Sequence, residues 1–418
     1  MKNLTKYKYR LGGLALLFSA SVCAQDMTSP YTVYGIGNIE HREFNRTGGM
    51  GYTGLALPAD AWVISHNPAS IAGMQKGFYN FDLQLAGKSV KYIGDPIDAS
   101  ARPGRDFGVR RASFAVKITN NWASSAGFSQ YSTINYKYLG NLSVEGSAEK
   151  FPVQYEGDGG LNSFYWTNAI SIKKNLLLGL RINVISGSIN RTEFMTGGNE
   201  DHLIETRVQD FYSNARLEYG LLYTIPLNLQ WTLSAGGRFA AKMDISPERT
   251  VTVKENDNIM IDEALIETDP FKLPLSFGAG IAIRKNNMFT IAADYSEEKW
   301  EPLNIKGSGW SMVNSQRLSG GVEIGRKVER WDRRTTYQFF QFGGFFNNSY
   351  LSVRSNPIRE FGATFGFASN YRNVLYNIGL EIGQRGTTRH GLIKENYFQF
   401  TIGLSYRDFF LTKARKYD

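Results

Sequence analysis

The sequence predicts an all-β protein, an antiparallel transmembrane β-barrel of about 14 strands with an N-terminal plug, or hatch, inside it. After residue 24 no segment holds the roughly 18 consecutive apolar residues that a membrane-spanning helix needs. The chain is rich in glycine (43 residues) and in aromatic residues (14%), as outer-membrane barrels are. From about Phe78 onward, apolar residues alternate with polar or small ones, which predicts strands.

The first 24 residues predict a secretory signal peptide. Basic residues up to Arg10 precede an apolar run over 11–20, which is too short to span a bilayer, and small residues precede a cleavage site after Ala24. Cys23 leaves a lipoprotein signal open as an alternative. If cleavage follows Ala24, the mature chain has no cysteine, which excludes disulfides and cysteine metal sites.

The charge of the chain argues against a nucleic-acid partner. There are 47 basic and 38 acidic residues, a net charge of +9, but no block of lysine and arginine. A thinly spread positive charge on an exported chain does not predict nucleic-acid binding.

The alternating runs and their connections predict the barrel, over 78–408. The connections between runs are short and long in turn, which is typical of short periplasmic turns facing longer extracellular loops. A soluble sandwich has no reason to sort its loops by end. An even strand count places the plug and a basic tail, 409–418, in the periplasm. The runs lie near 78–90, 108–118, 121–137, 161–173, 175–187, 208–225, 229–244, 273–284, 287–300, 314–326, 334–347, 358–369, 373–385 and 396–408.

Aromatic residues near the strand ends have two interpretations. They are either girdles at the membrane–water interfaces or ordinary strand aromatics. The residues concerned are Trp122, Tyr131, Trp231, Trp300, Trp310, Tyr376 and Tyr406.

Residues 25–77 predict the plug, because they are glycine-rich and lack a helical or strand period. A series of glycines, an aspartate and an Asn-Pro-Ala occupies 48–69, and it resembles the N-terminal hatch of the FadL-type outer-membrane transporters. The residues that carry the resemblance are Gly51, Thr53, Gly54, Asp60, Ala61, Asn67, Pro68 and Ala69. The segment Ser29–Gly37 is a departure from the family pattern, which indicates a divergent member.

The resemblance implies passive transport of hydrophobic, fatty-acid-like molecules across the outer membrane of a Gram-negative bacterium. The expected partners are the lipid bilayer and a hydrophobic small-molecule ligand. In such a family the hatch shifts to let the ligand leave sideways through the wall. The motif residues therefore have a gating interpretation and an anchoring one, in which polar side chains cap turns and fix the plug. The candidate site residues are Gly51, Gly54, Asp60, Asn67, Pro68 and Ala69.

The sequence offers no catalytic or cofactor motif. Its four histidines, His41, His66, His202 and His390, have no metal-ligand spacing, and no nucleophile motif stands out, so we expect no enzyme activity and no cofactor. Six carboxylates in one predicted loop leave a calcium site open beside a solvated acidic loop. They are Glu255, Asp257, Asp262, Glu263, Glu267 and Asp269.

A second function remains open: a non-transporting barrel subunit or scaffold of an outer-membrane secretion or assembly complex, with other envelope proteins as partners. The segment Ser29–Gly37, the loops 188–207 and 245–272 and the basic tail are candidate partner surfaces. The lumen discriminates between the two functions. A transporter needs an apolar pocket above the plug and a gap in the wall, whereas a scaffold tolerates a filled lumen.

Overall fold

The computed structural model describes residues 29–94, 103–143, 150–173, 175–196, 203–329 and 335–409. The predicted signal peptide and the tail beyond Phe409 lie outside these described residues. Within the described part of the chain, no helix is long and apolar enough to cross a membrane.

Fourteen antiparallel strands form a closed barrel, which confirms the predicted fold class. Each strand pairs with the next along the chain, and β14 closes the ring by pairing with β1 from Phe78↔Phe409 to Ile93↔Lys394. The barrel strands are β1 (Phe78–Ile93), β2 (Gly104–Lys117), β3 (Trp122–Ser143), β4 (Lys150–Lys173), β5 (Leu176–Thr196), β6 (Leu203–Pro226), β7 (Trp231–Ala240), β8 (Ser276–Lys285), β9 (Phe289–Glu298), β10 (Ser315–Glu329), β11 (Thr335–Val353), β12 (Asn356–Tyr371), β13 (Val374–Gly386) and β14 (Lys394–Phe409).

The alternating sequence separates a lipid-facing surface from the lumen. In β14, Phe398, Ile402 and Leu404 are exposed on the outside, while Gln399 and Thr401 are buried inside. Because the lipid core offers no hydrogen-bond partners, closure of the sheet pairs the strand edges along most of the ring.

The extracellular ends of β3–β6 extend further than the alternation predicts. Most of the predicted loop 138–160 belongs to β3 and β4, and much of 188–207 belongs to β5 and β6. The sequence of these ends does not alternate strictly between apolar and polar residues, so it resembles that of loops. The predicted loop 245–272 contains a hairpin of two strands, Pro247–Glu255 and Asn258–Ile266, which we call the outer hairpin. Short strand pairs also join Met243–Ile245 to Phe271–Leu273 and Lys306–Gly307 to Trp310–Met312.

Residues 29–77 run through the inside of the barrel, and we call them the plug segment. They contain the 3₁₀ turns Pro30–Val33, Gly48–Met50 and Pro68–Gly73 and the two-residue plug strand Asn38–Ile39. Two further 3₁₀ turns, Glu301–Leu303 and Arg389–Gly391, lie in extracellular connections. The plug segment begins near the extracellular end and finishes at the periplasmic end, where Ile71 and Met74 pack with Leu177 and Leu222 of the wall.

An apolar core fills the extracellular end of the lumen. Tyr31 and Ile36 of the plug segment are buried there with Trp300, so the segment Ser29–Gly37 contributes buried residues to this core. Trp300 is fully buried and Tyr131 and Trp310 pack against the same core, so the girdle interpretation is wrong for these three. Other members of the core are Ile39, Ile134, Tyr136, Leu161, Ile185, Ile189, Tyr212, Ile245, Leu273, Met312, Tyr350, Leu351, Val353, Ile358 and Leu392.

Candidate functional site

Asn67 stabilises the fold of the periplasmic part of the plug and also binds this part to the wall. Its side chain is fully buried, and its Nδ2 donates to the carbonyl oxygens of Leu55 (2.9 Å) and Leu221 (2.8 Å). Its Oδ1 accepts from the backbone N–H of Ala69 (3.0 Å), which makes Asn67 the N-cap of the turn that Pro68 begins. One amide therefore binds three backbone groups, two in the plug and one in the wall.

Pro68 and Ala69 lie directly on the backbone of the wall. A Cβ on Gly179 of β5 would collide with the Pro68 carbonyl group, and one on Gly220 of β6 would collide with Asn67 Oδ1. Ala69 itself is fully buried. Glycine at both wall positions is what permits this approach.

The glycines of the motif bind a second side of the wall. Gly51 has a φ of +69°, and its N–H donates to Thr364 Oγ1 of β12 (2.8 Å). The N–H groups of Gly54 and Leu55 both donate to Asp294 Oδ2 of β9, at 2.6 and 2.9 Å. A carboxylate that receives two backbone N–H donors is held firmly, so this part of the plug is fixed in register with β9 and β12.

Asp60 lies apart from the other motif residues, at the periplasmic mouth. Its Oδ1 accepts from the N–H of Ala61 (2.5 Å), and its carboxylate lies 3.9 Å from the Arg284 guanidinium. It lines an open cavity of about 500 Å³ together with Arg46, Arg284 and Glu323. Asp60 therefore shapes a turn and contributes charge to this cavity.

Charged side chains that the sequence interpretation did not single out anchor the plug most strongly. Arg42 donates to Glu381 Oε1 of β13 (2.6 Å), to Glu360 Oε1 of β12 (2.6 Å) and to the hydroxyl of Tyr397 (2.9 Å). Its Nη1 also lies 3.2 Å from a carboxylate oxygen of Glu40. Because the guanidinium and both wall carboxylates are buried, each depends on the others for compensation.

A second buried ion pair lies closer to the periplasm. Arg46 Nη2 donates to both carboxylate oxygens of Glu323 on β10, one at 2.6 Å, and its guanidinium lies over the ring of Phe339 at 5.0 Å. Gln341 connects the two partners, since its Nε2 donates to the Arg46 carbonyl (2.9 Å) and to Glu323 (2.6 Å).

Wall side chains also donate directly to carbonyl oxygens of the plug backbone. In the sequence, these donors can be recognised only as cations at strand positions that face the lumen. Their partners in the plug are distant in sequence, so no local pattern predicts the bonds. The donors are Arg111 to Phe44 (3.2 Å), Arg181 to Ser65 (2.6 Å), Arg191 to Gly35 (2.7 Å), Arg317 to Gly51 (3.3 Å) and Lys117 to Ala72.

His66 is buried between plug and wall and is held neutral. Burial, reinforced by the positive charge of Arg238, lowers the pKa of His66 to about 3. Its Nδ1 faces the Asn45 Nδ2 group at 3.0 Å, and Asn45 Oδ1 accepts from Thr47, which fixes the amide so that Nδ1 must accept. A proton on Nδ1 would place two donors against each other.

The wall is interrupted beside the plug strand. Strands β2 and β3 pair from Lys117↔Ala123 up to Arg111↔Ser129, and above that point the described residues of β2 pair only with β1. A bulge at Arg110 marks the start of the break on β2, and one at Tyr131 marks it on β3. The sequence contains no signal for these two bulges.

The plug strand covers the interruption from inside. Asn38 and Ile39 pair with Thr133 and Ser132 of β3, and the N–H of Glu40 donates to the Tyr131 carbonyl at 2.9 Å. From the other edge, Arg110 of β2 binds Gln130 of β3 and Asp106 of its own strand. The free edge of β3 is thereby partly satisfied by the plug.

The lumen beside this break is charged. A cavity of about 110 Å³ lies there, and its lining includes Glu40, Arg42, Glu43, Arg181, Arg216, Glu218, Arg238 and Glu298. Such a lining is wet or ion-paired, and contact with an apolar molecule would remove water from these charges at a free-energy cost. Among the described residues, no group of three or more histidine, cysteine, aspartate or glutamate side chains has an arrangement that would hold a metal ion, and this includes the six carboxylates of 255–269.

Comparison with known proteins identifies the fold and the family. The solved structure of a Pseudomonas aeruginosa FadL homologue is similar, with a TM-score of 0.59 and 12% identity over 90% of this chain and 100% of that one. The Pseudomonas putida toluene transporter TodX and the CymD monoaromatic hydrocarbon channel each give a TM-score of 0.55 and 13% identity, over 90% of this chain and 99% of theirs.

At the level of sequence, no curated protein matches the chain. The model of the BamG family, in contrast, matches residues 8–418, nearly the whole chain. The solved structures share the fold of this chain at low sequence identity, and the family model covers nearly its whole length. The chain therefore belongs to the BamG family, and it has the fold of the FadL-type outer-membrane barrels.

Proposed function

We propose that the chain mediates passive passage of hydrophobic, fatty-acid-like small molecules across the outer membrane, with the plug closing the barrel at rest. The observation that carries this proposal is the break between β2 and β3, because it would offer a lateral route from the lumen into the bilayer once the plug strand leaves it. Of the similar solved structures, one is a FadL homologue, TodX is a toluene transporter and CymD is a monoaromatic hydrocarbon channel. These similarities support a hydrophobic small molecule as the ligand.

In this mechanism the moving part is the plug strand. It is held at the break by two register pairs and the Glu40 N–H bond, and beside the break Arg385 donates to Asn38 Oδ1 (2.8 Å) and Tyr350 donates to the Gly37 carbonyl. Its release would open the edge of β3 and join the lumen to the lipid. We propose that Gly51, Gly54, Asp60, Asn67, Pro68 and Ala69 anchor the rest of the plug while this strand moves.

A disulfide lock tests the mechanism. Ile39 and Ser132 are direct register partners, so Ile39→Cys with Ser132→Cys is suited to a disulfide that fixes the plug strand over the break. If cleavage follows Ala24, the mature chain adds no other thiol. The matched control is Phe114→Cys with Ala126→Cys, which joins β2 and β3 where they are already paired.

We expect the oxidised lock to abolish uptake of a labelled long-chain fatty acid or an aromatic hydrocarbon by cells that depend on this barrel. Reduction should restore uptake, and the control pair should leave it unchanged. Uptake that is equal in the oxidised and reduced lock would contradict passage through the break.

A second function, a non-transporting subunit of an outer-membrane secretion or assembly complex, is favoured by a different observation. The extracellular end of the lumen is packed with apolar side chains, and the cavity beside the break is charged, so neither forms an apolar route. For this function we expect the lock to leave the cell unaffected and purified protein to carry stoichiometric envelope proteins. Deletion of the gene would then impair assembly or secretion of other surface proteins, and ligand uptake would not depend on the barrel.

A further inference from the structure

The outer hairpin extends the wall into a sheet beyond the barrel. Its first strand, Pro247–Glu255, pairs with the extracellular half of β6 from Pro247↔Tyr212 to Glu255↔Ile204. Lower down, β6 pairs with β7 instead, from Glu218↔Ala240 to Pro226↔Thr232. The hairpin therefore continues the sheet of β3–β6 on the extracellular side, away from the closed ring.

The second strand of the hairpin, Asn258–Ile266, is the edge of this extension. Among the described residues it pairs only with Pro247–Glu255, so one side of its backbone has no strand partner. Its apolar side chains are in solvent: Leu265 is 80% exposed and Met260 is 63% exposed. Ile259, Ile261 and Ile266 are exposed as well. An edge strand with unpaired backbone groups and exposed apolar side chains is a template for another strand.

The edge strand and its flanking residues carry charge of one sign, whereas the strand paired with it carries Arg249 and Lys254. From Glu255 to Phe271 the chain carries six acidic residues and no lysine or arginine. Five of the acidic residues are exposed: Asp257, Asp262, Glu263, Glu267 and Asp269. At the bulge Asp262 and Glu263 both lie opposite Thr252, and Glu263 has a φ of +40°.

We propose that this edge binds an extended, lysine- or arginine-bearing strand of another envelope protein by adding it to the sheet. A second copy of this chain does not suit the edge, because like charges would face each other. A basic strand would neutralise the carboxylates while its backbone completes the open ladder. This surface is independent of the lumen, so the proposal stands whether or not the barrel transports.

The test uses the purified full-length barrel in a nonionic detergent and fluorescent peptides with alternating residues. A lysine–valine peptide is the probe, a glutamate–valine peptide tests charge, and a lysine–proline peptide tests the backbone ladder. Binding is followed by fluorescence anisotropy, and hydrogen exchange of 258–266 locates it. The variant Asp262→Lys with Glu267→Lys reverses two charges at the edge, and Glu301→Lys is the control in another extracellular segment.

We expect the lysine–valine peptide to bind and to slow amide exchange in 258–266, and the other two peptides to bind at least about tenfold more weakly. Charge reversal at the edge should weaken binding by about tenfold, since repulsion replaces attraction at two sites, while Glu301→Lys should not. The proposal is overturned if the lysine–valine peptide does not bind at millimolar concentration or binds no better than the other peptides. It is also overturned if the exchange protection lies elsewhere, or if Leu265→Cys crosslinks two copies of the barrel at this strand.

Discussion

Replacing Arg42 with methionine removes the cation that holds the upper plug to β12 and β13. Glu360 and Glu381, both buried, would lose their closest compensating charge, and Glu40 would lose its partner in the plug. Removing one partner of a buried ion pair costs about 3–5 kcal/mol. We expect about 3 kcal/mol, the lower end, because Lys88 and Arg385 lie close enough to act on Glu360.

The assay is equilibrium unfolding in detergent with tryptophan fluorescence, together with conductance in a planar bilayer. Arg42→Met should lower the free energy of unfolding. It should also raise the frequency of channel openings, because the plug strand lies just before Arg42 in the sequence. Lys327→Met is the control, since its ion pair with Glu329 is solvent-exposed and such pairs contribute little.

A compensating variant separates lost charge pairing from lost packing. Glu360→Gln and Glu381→Gln in the Arg42→Met background remove the two unpaired wall charges, and we expect them to recover about 2 kcal/mol. A loss below about 1 kcal/mol for Arg42→Met, or no recovery in the triple variant, would refute the view that this network anchors the plug.

Three further predictions follow from the plug contacts. Burial keeps the pKa of His66 at about 3 in the folded state, below the value of about 6.5 in the unfolded state. The neutral His66 therefore contributes its full stability above pH 6.5, and this contribution is lost on acidification because the unfolded chain takes up the proton first. Between pH 7 and pH 5 the free energy of unfolding should fall by about 2 kcal/mol, and His66→Gln should remove this slope in a urea titration at each pH. Gly236→Ala should destabilise the protein by about 1–3 kcal/mol, because the added Cβ would collide with the Leu55 carbonyl. The neighbouring Gly237→Ala should be close to neutral in the same titration, because the nearest atom to its added Cβ is 3.6 Å away. Asn67→Ala should cost about 2 kcal/mol through the lost cap and the lost bonds to the Leu55 and Leu221 carbonyls. Asp60→Ala should cost less, because Asp60 bonds within its own turn and lies 3.9 Å from Arg284. Thermal unfolding of both variants checks this.

The barrel plan could be predicted because its signal is local. Alternation such as that of β14, where Phe398 and Ile402 face lipid and Gln399 and Thr401 face the lumen, needs only neighbouring residues. The alternation is not maintained over 138–160, which is why the pattern predicts a loop there although most of this range is strand.

The site could be predicted only in part, because most of its contacts join residues far apart in sequence. The motif located Asn67 and the glycines, but not the wall glycines such as Gly220 that receive them. The Arg42 network brings together residues more than 300 positions apart, and no local pattern specifies it. Likewise the break at Arg110 depends on a single extra residue in β2, which leaves alternation elsewhere intact.

The distribution of anchors along the plug limits how it can open. Below Arg42 the plug is seated on glycines of the wall and bound through Gly51, Gly54 and Asn67, so sliding it as a rigid body would break all of these contacts together. Above Arg42, the plug strand pairs with β3 at the break, Asn38 Oδ1 accepts from Arg385 (2.8 Å), and Ile39 packs in the extracellular core. Because the free energy of opening rises with each contact broken, we expect a local opening around Asn38 and Ile39, which breaks fewer contacts than a movement of the whole plug. The lock at Ile39 and the loosening at Arg42 should consequently act in opposite directions on uptake, and an equal effect of both would exclude this segment as the gate.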